Sequence, residues 1–350
     1  MRYGSGKTRL TVIGMLLCLF ALGVIVGCGS KSAQPPLPSA QPMPKVAEEP
    51  TTPALTKVTL AQSPQPLATL SIVAYKKGFY KDEGLDVSVK EFTTGKLCFD
   101  AMLSGGAQFA TVAETPLMYA GFTNQPIYVV ASIASNPLSS KVIARKDQGV
   151  EKPADLKGKP VGTFKGGSAE YFFMQFLKKN GLTVDDVKLT FMQPPELVTA
   201  IVRGDLAAMS MWEPNISVAQ KAIGEDKTVV FTGEDIYTET FHIAVKKDYA
   251  DQNEKDIEAL IRALIKAEEF LKASPQDAKQ IVHEALQIDN DILGSIWPHY
   301  RFEVFMDPAI INLLNKEAQF AIETGSAPAG STVPNYSAVF EGKFLKAIVP

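Results

Sequence analysis

The chain has 350 residues, 46% hydrophobic and 21% charged, with 35 basic against 38 acidic residues and a net charge of −3. Setting aside Arg2, Lys7 and Arg9 near the N-terminus takes this to −6 (−3 minus 3), a balance that offers nucleic acid no electrostatic footing. Three cysteines occur, Cys18 and Cys28 in or beside the N-terminal apolar run and Cys98 alone beyond it. No disulfide can form within the fold, so stability has to come from core burial, which a chain of this size can supply.

Residues 1–27 read as a leader. A basic start is followed by an apolar run over 10–26 that is short for a spanning helix and ends in small residues, a signal-peptide pattern. Ile25-Val26-Gly27-Cys28 resembles the lipobox of bacterial lipoproteins, which implies lipidation of Cys28. The alternative is an uncleaved membrane anchor; either places the domain outside the cytoplasm. Residues 28–56, rich in Pro, Ser, Ala and Gln, cannot bury a core and read as a tether between lipid and domain.

From Lys57 strands and helices alternate. Strands are expected over 58–61, 85–90, 108–113, 127–133 and 142–144. Helices are expected from the Pro64-Gln65-Pro66 turn through Tyr75 and from Thr94-Gly95 through Leu103. Strands over 187–192, 207–211 and 228–231 continue the alternation, which predicts parallel sheets and α/β lobes. Residues 253–286 read as strongly helical, with Ile257, Leu260, Ile261, Leu264 and Ile265 on one face, and a further helix is expected over 308–324.

The middle of the chain carries its most distinctive stretch, Lys159 to Gly181. A strand over 161–164 breaks at Gly166-Gly167 and becomes a helix behind Ser168, a good N-cap. Phe172, Phe173, Phe176 and Leu177 form its apolar face, and Lys178, Lys179 and Gly181 suit its C-terminal end. Two glycines and a helix start expose backbone N–H groups, a cradle for an anion or carbonyl. The spacing of a phosphate loop is missing, which argues against a nucleotide. An ordinary strand-to-helix turn is the other reading.

Residues 100–116 and 199–214 echo each other: Gly105 aligns with Gly204, Ala101 with Ala200 and Glu114 with Glu213. Each segment runs from a helix end through a Gly turn and a buried strand to a Glu at the strand's carboxyl edge. Two similar lobes with a cleft between them follow, and ligands of open α/β sheets sit outside the carboxyl ends of strands. Glu114, Trp212, Glu213 and the Ser168 helix start can converge there. Each Glu either contacts ligand or holds its turn, and Trp212 lines either the cleft or the core. His242, His283 and His299 show no metal-ligand spacing, and no nucleophile–base constellation stands out.

Gly78-Phe79-Tyr80-Lys81-Asp82-Glu83-Gly84-Leu85-Asp86-Val87 is one of four quotable motifs. The others are the Pro153 to Thr163 run, Trp212-Glu213-Pro214, and Ile296 to Asp307. Together they resemble solute-binding proteins of ABC importers, in the branch serving aliphatic sulfonates, taurine and nitrate and including binders of thiamine-pyrimidine precursors. The likeness covers about residues 57–350. It implies a type II periplasmic-binding-protein fold, an α/β architecture of two lobes joined by two crossover strands and closing by a hinge. Lobe 1 would comprise 57–138 plus 240–350, and lobe 2 residues 139–239. Carried over by position, the ligand-binding residues would be Gln62, Thr94, Glu114, Thr115, Asn136, Gly167, Ser168 and Trp212. The resemblance implies a small-molecule solute, an ABC permease with its ATPase as partner, and a periplasmic or cell-surface location. It implies no cofactor, no metal and no catalysis; an enzyme of pyrimidine-precursor synthesis is the competing class. Gln108 and Ala207 depart from the family's frequent Asp. Glu114 places a carboxylate where a pure anion site would be neutral, which points to a ligand bearing an amino group.

Overall fold

Strand, helix and glycine turn alternate throughout residues 54–349, the part of the chain that this computed structural model describes. The leader, Cys28 and nearly all of the tether lie outside the described residues. The chain enters through β1 (Thr56–Gln62), α1 (Thr69–Lys77), α2 (Phe79–Asp82) and β2 (Leu85–Glu91). It continues through α3 (Gly95–Leu103), β3 (Phe109–Ala113), α4 (Glu114–Phe122) and β4 (Ile127–Asn136). Residues 137–139 then carry it into a second sheet at β5 (Ser140–Arg145).

The second sheet is completed by β6 (Pro160–Thr163), α5 (Ser168–Lys179), β7 (Lys188–Phe191), α6 (Pro194–Arg203), β8 (Ala208–Trp212), α7 (Asn215–Ile223) and β9 (Thr228–Phe231). Residues 232–238 lead back into the first sheet at β10 (Glu239–Lys246). Six helices and a strand remain among the described residues: α8 (Lys247–Gln252), α9 (Glu254–Ala273), α10 (Pro275–Leu286), α11 (Asn290–Ile296), β11 (Arg301–Phe305) and α12 (Ala309–Glu323), with α13 (Lys343–Ile348) at the end.

The six-stranded sheet has the order β11-β4-β10-β3-β1-β2 and the five-stranded one β7-β6-β8-β5-β9. Each is sandwiched between two apolar clusters, one per face. Val142 and Ala144 belong to one cluster while Ile143 between them belongs to the other, the period-2 alternation of a strand buried on both sides. The aromatic face of α5, with Phe172, Phe173, Phe176 and Leu177, packs against the Val142 side.

The sheets are mixed rather than parallel. β1 pairs in parallel with β2 and β3, and β6 with β7 and β8. β10 runs antiparallel to β3 and β4, and β5 antiparallel to β8 and β9. β5 and β10 are the strands through which the chain enters one lobe from the other, so they run against strands wound in by helices of their own lobe; the edge strand β11 is also antiparallel, to β4. The helical stretch 253–286 is two helices, α9 and α10. Pro275 lacks the N–H that a continuing helix needs and instead opens α10 at its first position.

The internal echo is structural. β3 and β8 span equivalent positions of the two repeats, 109–113 and 208–212. Each follows a glycine at positive φ, Gly105 at 84° and Gly204 at 86°, a conformation that glycine adopts without a side-chain penalty. Helices α4 and α7 begin directly beyond the two strands. Among the described residues no helix is long and apolar enough to cross a membrane.

Candidate functional site

Both crossovers pass between the sheets beside the carboxyl ends of β3 and β8, which puts the starts of α4 and α5 on opposite walls of one crevice. α5 begins at Ser168, with Gly167 as its N-cap residue. The Ser168 hydroxyl therefore does not cap the helix. It reaches 2.7 Å across the crevice and donates to Oε1 of Glu239, at the start of β10. The nearby Gly166 N–H donates to Oε2 of Glu170 at 2.6 Å. The cradle expected to take a ligand anion is thus engaged by the protein's own carboxyl groups, which suit the positive end of a helix dipole.

Glu114 opens α4 and is fully buried. Its Oε2 accepts from the Thr240 backbone N–H at 2.8 Å and from the Thr240 hydroxyl at 2.9 Å. With its hydroxyl proton committed to Glu114, Thr240 accepts from Nε2 of His242 at 2.9 Å, and His242 Nδ1 in turn accepts from Ser132 at 2.9 Å. This chain accounts for His242 as a neutral buried group whose pKa burial lowers to about 3. On the other side Thr115 donates to Oε1 of Glu317 of α12 at 3.1 Å.

Glu114, Glu239 and Glu317 form one buried carboxyl cluster. Burial raises the pKa of all three. The charge of Glu239 adds to the rise at Glu114, which reaches about 8, and the charges of Glu114 and Glu239 add to the rise at Glu317. Close carboxylates in a low-dielectric setting cannot all ionise, so the cluster retains protons near neutrality. Among the described residues, seven buried polar side-chain atoms have no partner: Asn136 Nδ2, the Ser139 and Ser140 hydroxyls, the Tyr237 and Tyr300 hydroxyls, and Oε2 of Glu239 and of Glu317. Asn136, Ser139, Ser140, Tyr237 and Glu239 lie on or beside the crossovers, Tyr300 just before β11 and Glu317 within α12. A buried polar atom left unpaired costs about 1–3 kcal/mol, so the group beside the crossovers suits a polar guest.

Three neighbouring pockets share lining residues here. A pocket of about 20 Å³ is lined by Thr94, Phe164, Gly167, Ser168, Trp212 and Glu239, among others. Another of about 20 Å³ meets Thr115, Gly167, Glu170, Tyr171 and Glu317. Each is about the size of one water. Both share residues with a wide outer crevice of about 900 Å³, lined in part by Lys96, Tyr119, Lys165, Met174 and Phe191.

Of the residues expected at the site, the structure brings Thr94, Gly167, Ser168 and Trp212 together around the first pocket and Thr115 and Gly167 around the second. Thr94 caps α3, accepting from the Leu97 N–H at 3.1 Å. Trp212 stacks edge-to-face on Phe164 at 5.8 Å, lining the pocket with part of its ring and packing with the rest. Asn136 uses its Oδ1 to accept from the Leu138 N–H at 2.7 Å and leaves its Nδ2 unpaired. Gln62 accepts from Ser71 and lines a separate groove with Ile72 and Tyr75. Glu213 is occupied structurally: Oε1 takes Lys141 at 2.6 Å and Oε2 accepts from the Ser217 N–H at 3.1 Å. Glu239, Glu317, Glu170, Tyr171 and Tyr300 were not anticipated. Glu317 did leave a signal, for it sits on the helix stripe of Ile310, Leu314, Ala318 and Ala321, where a charged residue has no solvent to face.

Residues 65–278 match the family profile described as NMT1/THI5 like. The taurine-binding periplasmic protein of Escherichia coli K12 is 26% identical over 201 residues, 56% of this chain and 61% of that one. A Haemophilus influenzae protein provisionally named for thiamine biosynthesis is 29% identical over 216 residues, 60% of this chain and 66% of that one. The alkanesulfonate-binding protein SsuA of Xanthomonas axonopodis pv. citri, solved bound to MOPS, superposes with a TM-score of 0.72 at 15% identity, covering 83% of this chain and all of that one. The desulfurization enzyme DSZB shares the fold at a TM-score of 0.60 and 15% identity, covering 84% and 99%. At those identities the structural likenesses speak to the fold alone.

Proposed function

The chain belongs to the NMT1/THI5-like family, and from that premise we propose that it is the extracytoplasmic solute-binding component of an ABC importer. It captures a small polar solute between its lobes and hands it to a permease, without chemistry of its own. The observation that carries this reading is the collection of unpartnered buried polar atoms on Asn136, Ser139, Ser140, Tyr237 and Glu239, at the crossovers. Contacts from both walls exist only when the lobes are together, so a solute that satisfies these atoms favours closure. Lipidation of Cys28 and a tether over 28–56 would keep the lobes close to the permease.

Within the branch, taurine fits better than nitrate, because its ammonium answers the carboxyl cluster. A thiamine-pyrimidine precursor is the second reading. Its amino and ring-nitrogen groups would pair with Glu114, Glu239 and Glu317, which in their protonated and ionised forms offer both donors and acceptors.

Native mass spectrometry of the protein isolated from membranes tests the proposal. A diacylglycerol-modified Cys28 at the mature N-terminus and one small molecule per chain are expected. An unprocessed leader would refute the anchor, and a chain that carries no solute from any growth medium would refute capture.

A further inference from the structure

Resting on that reading of the crevice, we propose that its solute is an organic cation. An ammonium, amidinium or guanidinium group sits among Glu114, Glu239 and Glu317, and an apolar or aromatic body extends into the outer crevice. Four independent features converge on this. The three carboxyl groups come from three elements, α4, β10 and α12, and two of them keep a fully buried oxygen, Oε2 of Glu239 and Oε2 of Glu317, without a partner. Further polar groups at least nine-tenths buried stand beside them: the Ser139 and Ser140 hydroxyls face Glu239 and the Tyr300 hydroxyl faces Asn136, each short of full hydrogen-bond geometry.

The third feature is charge balance. Among the described residues Lys96 is the one cation lining either small pocket, and it is paired with Asp100 at 2.6 Å. Lys165, at the outer crevice, rests 5.4 Å over the Phe191 ring. Lys141 is committed to Glu213. A ligand anion in the small pockets would therefore meet carboxyl groups and no free counter-charge, whereas a cation would bring the charge the cluster lacks. The helix start that could have recruited an anion already holds Glu239 through Ser168.

The fourth is size. The outer crevice, about 900 Å³ in volume, lies at the upper end of pockets for molecules far larger than taurine. Its walls include Phe99, Leu103, Tyr119, Met174, Leu189 and Phe191, an apolar and aromatic surface. Tyr119, Glu170 and Met174 line both this crevice and the pocket of Glu317. A molecule whose body fills the crevice can therefore bring its charge to the mouth of the Glu317 pocket.

Three probes of one shape separate the possibilities: benzamidine (cation), benzamide (neutral) and benzenesulfonate (anion). They are titrated calorimetrically into protein freed of co-purified solute by unfolding, dialysis and refolding. Benzamidine is expected to bind at least about tenfold tighter than benzamide, and benzenesulfonate to bind weakest. Glu317→Gln keeps the acceptor that Thr115 uses; it should weaken benzamidine roughly ten- to a hundredfold, as for a lost charged hydrogen bond, and leave benzamide nearly unchanged. If that variant does not fold, the ranking of the probes on the unsubstituted protein still decides. Benzenesulfonate binding as well as benzamidine, or no binding of benzamidine at millimolar concentration, overturns the inference. An acidic solute found in the isolated protein would do the same while leaving solute capture intact.

Discussion

Lys141→Met is expected to destabilise the protein by about 3–5 kcal/mol in denaturant unfolding, because it leaves Glu213 ionised in a place where its side chain is 1% exposed. The pair is close, 2.6 Å, and joins β5 just after the first crossover to the end of β8. Glu213 also receives the Ser217 N–H and sits beside Trp212, so the pair holds the lobe-2 wall of the site to the crossover. A double variant, Lys141→Met with Glu213→Gln, should recover most of the loss. The amide still accepts from Ser217, and no buried charge is stranded. A single-variant loss under about 0.5 kcal/mol would instead place this pair with surface ion pairs of little consequence.

The second large effect is in pH. Glu114, Glu239 and Glu317 have pKa values raised in the fold above the ordinary 4.5, Glu114 to about 8. Between those limits the native protein holds protons that the unfolded chain has released, so stability falls as pH rises through the window. His242 works in the opposite sense. Its pKa is lowered from 6.5 to about 3, so below 6.5 the unfolded chain takes up a proton that the fold refuses. The two trends oppose each other between 4.5 and 6.5, and the carboxyl trend stands alone from 6.5 to about 8. The neighbouring Tyr171 and Tyr300 hydroxyls, raised by burial, stay neutral there. The solute-free protein should therefore melt at clearly lower temperature at pH 8 than at pH 6.5, each unit of raised carboxyl pKa being worth about 1.4 kcal/mol. Glu114→Gln should flatten that slope. A melting temperature that is level or rises over this interval would mean that the cluster is solvated and ionised.

Much of the fold was legible because it is written in local rules. The Gly105 and Gly204 turns, the paired strands beyond them and the aromatic stripe of α5 each follow from spacing within about fifteen residues. The antiparallel members β5 and β10 were not legible, because their direction depends on how the chain passes between sheets and nothing inside those strands records it. The site divides in the same way. Thr94, Gly167, Ser168 and Trp212 stand at strand ends and helix starts, where sequence locates clefts. The role of Ser168 was misplaced by one helix position, since its partner Glu239 lies 71 residues away. Glu239 and Glu317 escaped notice because a lone Glu in a strand or helix ordinarily faces solvent, and only long-range packing turns these two toward Glu114.

The central claim is that two lobes capture a solute between them, and small-angle scattering measures that most directly. Protein stripped of solute should have a larger radius of gyration than the same protein saturated with the molecule it carries from cells, because a solute that contacts both walls favours the state in which the walls are together. An unchanged radius at saturation, with binding verified in the same sample, would contradict capture by closure.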